Sequence, residues 1–113
     1  MVETIFVDYL SSYFPNTTVV CERPTGTIPD SYILIDNTGT SKSNHIYQSR
    51  VAFQSYGKTL YDAATLNDSV IAAVEASVSQ ASVASVRLNS AYNFSDTASK
   101  TYRYQAVFDI THY

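Results

Sequence analysis

Charge is scarce in this sequence. Asp, Glu, Lys and Arg make up 15% of its 113 residues, against about 25% in an average globular domain. Only seven of them are basic, they stand singly, and the net charge is −3. A dedicated DNA-binding domain needs clustered Lys and Arg to neutralise phosphates, so this balance argues against one. Cysteine occurs once, at Cys21, so no internal disulfide can form and a reducing compartment is expected. Glycine is nearly as rare, and Gly26, Gly39 and Gly57 stand apart. A phosphate-cradling loop needs several glycines together before a helix, so nucleotide binding is disfavoured. No apolar run has the length of a membrane span. The start, Met1-Val2-Glu3, has neither the basic nor the apolar region of a signal peptide, so folding in a cytoplasm is expected. The sequons at Asn16, Asn67 and Asn93 then read as chance matches in a hydroxyl-rich chain.

What is present is enough for one core. The hydrophobic fraction is 45%, and a chain of this length supports a single domain, taken as residues 1–113. Fifteen serines and twelve threonines replace the missing charges. A neutral, hydroxyl-rich outside suits a protein largely covered by partners.

The apolar periodicity predicts an order α-β-β-β-α-β-β. Val2, Ile5, Phe6, Tyr9, Leu10, Tyr13 and Phe14 recur at helical spacing, and Pro15 ends that helix. Thr18 to Arg23 reads as a short strand, followed by a Pro/Gly turn over 24–30. Tyr32-Ile33-Leu34-Ile35 is a continuous apolar run, the mark of a strand buried on both faces. Asp36 to Asn44 contains no apolar side chain and is expected to be a mobile loop or arm. His45 to Tyr56 alternates as a strand, with Tyr47, Val51 and Phe53 on one side. Thr59 is the expected N-cap of a second helix whose face carries Leu60, Ala63, Ala64, Val70, Ile71, Val74 and Val78. Ala84, Val86 and Leu88 mark the fourth strand, Asn93 to Lys100 a polar turn, and Tyr102 to Ile110 the fifth. The fold class predicted is α+β in two layers: about five mostly antiparallel strands with two helices on one face.

Chemistry-bearing constellations are missing from the pattern. His45 and His112 have no zinc-ligand spacing around them and read as solvated or strand-end histidines. Cys21, beside Val19 and Val20, reads as a small strand hydrophobe. The acids, Glu22, Asp30 and Asp36 included, are scattered and read as a solvated face. No enzyme, cofactor or metal is expected. Ten tyrosines are many for this length, and tyrosine favours interfaces through its area and polar tip. Most fall on apolar stripes, but Tyr47, Tyr92 and Tyr102 flank the two polar loops and are interface candidates.

Four segments in order carry a resemblance. They are Asp30-Ser31-Tyr32-Ile33-Leu34-Ile35 followed by the Gly/Ser/Thr arm, and Arg50-Val51-Ala52-Phe53-Gln54-Ser55-Tyr56-Gly57 running into Leu60-Tyr61-Asp62-Ala63-Ala64. Then come Ser90-Ala91-Tyr92-Asn93-Phe94-Ser95-Asp96 and Tyr102 to Thr111. From Asp30 onward the chain resembles the tail terminator, or tail-completion, proteins of long-tailed bacteriophages and prophages. Many relatives carry prolines after the Tyr-x-Phe, where this chain has Ser95-Asp96-Thr97. The resemblance implies a non-enzymatic virion protein at the head-proximal end of the tail. Such a protein forms a ring, usually of six subunits, that caps the tail tube, stops its growth and meets the head connector. DNA passes through the lumen without specific binding, and no membrane is involved. It also implies that Gly39, Lys42, Asn44, Tyr47 and Arg50, with Tyr92, Phe94, Lys100 and Tyr102 as a second contact, meet a neighbouring subunit or the tube. The alternatives are another small neck or head-completion protein, or a small cytosolic enzyme or binding domain.

Overall fold

A computed structural model describes residues 2–22, 26, 29–95 and 101–113. Helix α1 spans Val2–Tyr13 and buries Val2, Phe6 and Leu10, one residue per helical turn. Pro15 follows it, and the Phe14 N–H closes its last turn on the Leu10 carbonyl at 2.8 Å. Strand β1 is shorter than the sequence predicts, Thr18–Val20. Most of the turn expected over 24–30 lies outside the described residues.

Strand β2 runs from Tyr32 to Ser43 and β3 from Ile46 to Gly57. The expected loop at 36–44 is therefore corrected: nearly all of it is the second half of a strand. β2 pairs antiparallel with β3 through Ser43 opposite Ile46, with a bulge at Thr38 between Asn37 and Gly39. Asn44 and His45, at φ 52° and 67°, form the two-residue turn, and such positive angles match the twist of a hairpin. Backbone pairing with β3 orders a segment whose side chains bury almost nothing. That driving force leaves no trace in a hydrophobicity pattern.

Helix α2 spans Leu60–Ala76, and the Thr59 hydroxyl caps it by accepting from the Asp62 N–H at 3.1 Å. Its buried face is Ala63, Asn67, Val70, Ala73 and Val74. Leu60 and Val78, expected on that face, are exposed. Val78 falls in a 3-10 turn over Ser77–Ser79, where the helical phase is lost. Strands β4 (Val83–Asn93) and β5 (Tyr102–His112) form the expected antiparallel hairpin. A bulge at Ala84 turns Val83, rather than Ala84, toward the core opposite His112. Residues 96–100 of their connection lie outside the described residues.

The sheet order is β1-β2-β3-β5-β4, antiparallel throughout except for β1, which runs parallel to β2. Both helices pack on one face, giving the α+β architecture and element order predicted. Phe53 centres the core. Its ring meets Phe6 edge-on at 5.3 Å and Phe108 at 5.7 Å. Burying each such ring contributes about 1.5–3 kcal/mol. The other face of the sheet carries a smaller cluster, Tyr32, Leu34 and Tyr56 with Val20. So Tyr32–Ile35 is indeed buried on both faces, Ile33 and Ile35 beneath the helices and Tyr32 and Leu34 on the far side.

Candidate functional site

Cross-strand register sets six of the nine interface candidates at two opposite ends of the sheet. Tyr47 pairs with His112 at one end of β3 and Gly57 with Tyr102 at the other. At about 3.3 Å per residue these rows lie roughly 33 Å apart. Lys42, Asn44 and Tyr47 sit at the hairpin end, and Tyr92, Phe94 and Tyr102 at the opposite end. Gly39 and Arg50, opposite one another, lie between. Lys100 is outside the described residues.

At the hairpin end, the Lys42 ammonium lies 5.2 Å above the Tyr47 ring, which stacks on the His112 ring at 5.4 Å. His112 is buried rather than solvated, and its Nε2 lies 2.8 Å from Ser49 Oγ, itself 3.0 Å from Thr40 Oγ1. Burial pushes the His112 pKa below its ordinary value, against the smaller opposing effects of the Tyr113 backbone and the Glu3 carboxylate. A serine hydroxyl beside an imidazole is the core of a nucleophilic dyad. Here both side chains are buried within the fold, and Thr40 occupies the third corner. The arrangement locks the hairpin to the end of β5.

Midway along the helix-free face, Arg50 Nε donates to Asp109 Oδ1 at 2.9 Å. Asn89 donates to the other carboxylate oxygen at 3.1 Å. The Arg50 hydrogen bond first, then that from Asn89, holds Asp109 below the usual carboxylate range, and the Arg87 charge acts the same way. Arg50, Arg87 and Asp109 line an open polar groove of about 750 Å³ with Gly39, Gln48, Ser85 and Thr111.

The far end holds a network that sequence reasoning missed. Arg103 Nη1 donates to Tyr56 Oη at 2.8 Å, and Tyr56 donates to Gln54 Oε1 at 2.9 Å. Gln54 donates to Gln105 Oε1 at 2.9 Å, and Gln105 donates to Tyr92 Oη. Tyr56, Gln54 and Gln105 each donate one hydrogen bond and accept one, with Arg103 the first donor and Tyr92 the last acceptor, so three strands are tied by a single chain of hydrogen bonds. The Arg103 guanidinium also lies 4.4 Å over the Phe94 ring and donates to the Phe94 carbonyl at 2.8 Å. Tyr92 and Phe94 stay largely exposed beside it. The only hint in the sequence is that Gln54, Tyr56, Arg103 and Gln105 fall on the polar side of their strands. Their meeting depends on a register that alternation alone does not give.

Cys21 is exposed beyond the end of β1, not a strand hydrophobe. Partial burial, with the Glu3 and Glu22 charges, raises its thiol pKa. His45 is exposed in the hairpin turn. Among the described residues no group of three or more His, Cys, Asp or Glu side chains comes together to hold a metal. Nor is any of their helices long and apolar enough to cross a membrane. Compared with known proteins, the chain matches no protein-family model and has no significantly similar curated protein.

Proposed function

We propose that this chain is a structural virion protein of a long-tailed phage or prophage. It assembles as a ring, most simply of six subunits, that caps the tail tube and presents a surface to the head connector. The observation that carries this reading is the hairpin. β2 is twelve residues long, yet only Tyr32–Ile35 is buried, and Thr38 to His45 is exposed. Ordering those residues costs roughly 1–2 kcal/mol each in backbone entropy. Burial of their side chains returns little of it within one subunit. A surface built at that cost, polar and almost uncharged, suits contact with neighbouring protein. The candidate residues at both ends of the sheet suit a subunit held between partners. The net charge of −3 suits a lumen along which DNA slides without sticking.

The test mixes the purified chain with polymerising tail tube protein of its own phage. Rings by light scattering and negative-stain imaging, and tubes ended by such rings, are expected. A ring that binds the connector but not the tube would indicate a neck protein instead. A monomer that leaves tube growth unchanged would sink the proposal.

A further inference from the structure

The two ends of the strand order differ in a way that bears on assembly. Among the described residues β4 is an edge along its whole length, Val83–Asn93, because only β5 pairs with it. Among the same residues β2 is an edge from Asp36 to Ser43, because β1 covers only Tyr32–Leu34. Soluble proteins normally block such edges with Lys, Pro or covering elements. Neither stretch holds a proline, the β2 stretch has one lysine, Lys42, near its hairpin end, and β4 carries Val, Ala, Ser, Leu, Asn and Tyr side chains around a single charge, Arg87. Bulges at Ala84 and Asn89 interrupt β4, and one at Thr38 interrupts β2, which leaves Ser85–Leu88 and Gly39–Ser43 as regular edge segments.

Three relations fit these two segments to each other. Their directions are opposite, since β2, β3, β5 and β4 alternate, so side-by-side copies related by rotation about the strand axis would pair antiparallel. Their heights also agree. Gly39, Arg50, Asp109 and Arg87 form one row across the sheet, and Ser41, Gln48, Thr111 and Ser85 another. Joining edges at equal height gives no shift along the axis, and a head-to-tail contact without such a shift can close into a ring rather than a filament.

Charge and space also agree. Two arginines, Arg50 and Arg87, face the one carboxylate of Asp109, leaving surplus positive charge at the β4 edge. Asp36 lies exposed on the same sheet face at the β2 edge, opposite Ala52. Gly39 has no positive φ, and a Cβ there would meet nothing within 4 Å. Gly39 flanks the bulge at Thr38, but with no positive φ and open space at its Cβ the bulge does not require a glycine. A glycine in a strand often marks close approach by another group.

We infer that Gly39–Ser43 of one copy pairs antiparallel with Ser85–Leu88 of the next, with Arg87 lying over the neighbour's Gly39 toward its Asp36. The ring is then one continuous sheet. This inference rests on the proposed ring and names how it closes.

The test uses the full chain with Cys21→Ser and introduces Ser41→Cys and Ser85→Cys, singly and together. Under mild oxidation the double variant should run as a ladder of covalent oligomers on a non-reducing gel, and each single variant as the subunit. Gly39→Gln, whose Cβ has open space in the isolated subunit and which sets no like charge opposite Arg50, should shift the light-scattering mass from the ring to the 12.5 kDa subunit without lowering the melting temperature. A covalent dimer from Ser85→Cys alone would mean that β4 pairs with itself about a twofold axis, overturning the inference. Rings that survive Gly39→Gln would overturn it too, while leaving tail capping intact as a separate result. Rings that cross-link as expected but cap no tails would instead remove the functional reading alone. A wild-type chain that stays monomeric would overturn both.

Discussion

His112 Nε2 and Ser49 Oγ, sixty-three residues apart in sequence, meet at 2.8 Å inside the fold. The pair makes stability depend on pH. Burial lowers the His112 pKa in the folded protein, whereas the unfolded chain takes up the proton near the ordinary value of about 6.5. A depressed folded pKa means the unfolded state binds more protons between the two values. The stabilisation is complete above about pH 6.5 and is lost as pH falls from there toward the folded value. The melting temperature should therefore drop between pH 7.5 and 5.5. His112→Gln should flatten that slope while keeping a hydrogen bond to Ser49. An unchanged slope in the variant would assign the effect to other groups.

Gly57 is needed for space. A Cβ there would lie 2.4 Å from the Ala63 backbone nitrogen and 2.9 Å from the Ala63 Cα. Those atoms belong to the first turns of α2 and cannot rotate away as a side chain could. Gly57→Ala should force β3 and α2 apart and cost about 3 kcal/mol, the upper end for overpacking. Gly39→Ala, with open space at its Cβ, is the control and should leave the subunit's stability nearly unchanged. Equal denaturation midpoints for the two variants would show that the Gly57 contact relaxes freely.

Why the sequence showed some of this and not the rest follows from what periodicity reports. Val2, Phe6 and Leu10, and Ala106, Phe108 and Ile110, are buried because apolar stripes must be, and their spacing declared it. The α2 face is less regular. It buries Asn67 and runs on to a buried Ser77, polar residues that break the stripe, while Leu60 stays exposed. Asp36 to Ser43 read as a loop because its order comes from β3's backbone, not from its own side chains. For the same reason the candidate site was legible only as separate residues. Tyr47, Arg50, Tyr92 and Tyr102 could be singled out, but the placing of Tyr47 at one end of the sheet, Tyr92 and Tyr102 at the other and Arg50 between them is a matter of register. The Arg103–Tyr56–Gln54–Gln105 relay depends on the same pairing.

Tyr9 ties the two helices. Its hydroxyl donates to the Ala73 carbonyl at 2.7 Å, and burial first, then the Tyr13 charge, raises its pKa. A neutral hydrogen bond of this kind contributes about 0.5–1.5 kcal/mol. Tyr9→Phe keeps the ring that meets Phe6 edge-on at 6.3 Å and removes only the hydroxyl. It should lower stability by about 1 kcal/mol, seen as an earlier urea midpoint with an unchanged slope. A loss well beyond that would mean the α1–α2 contact rearranges.

His45 holds φ 67° in the hairpin turn after Asn44 at 52°. Left-handed backbone costs a residue with a Cβ about 1–2 kcal/mol, and the two-residue turn of this type favours Asn-Gly. Asn44 already suits its place, and His45 does not. The imidazole is exposed, so replacing it removes no buried contact. His45→Gly should relieve the backbone strain, offset in part by the extra freedom glycine gives the unfolded chain. The net expected is a gain of about 0.5–1 kcal/mol, read as a higher melting temperature at constant pH. Because the turn lies beyond Gly39–Ser43, the variant should not alter the proposed ring contact. A lower melting temperature would mean that the His45 side chain makes a stabilising contact in solution, and the turn would then have to be rebuilt around it.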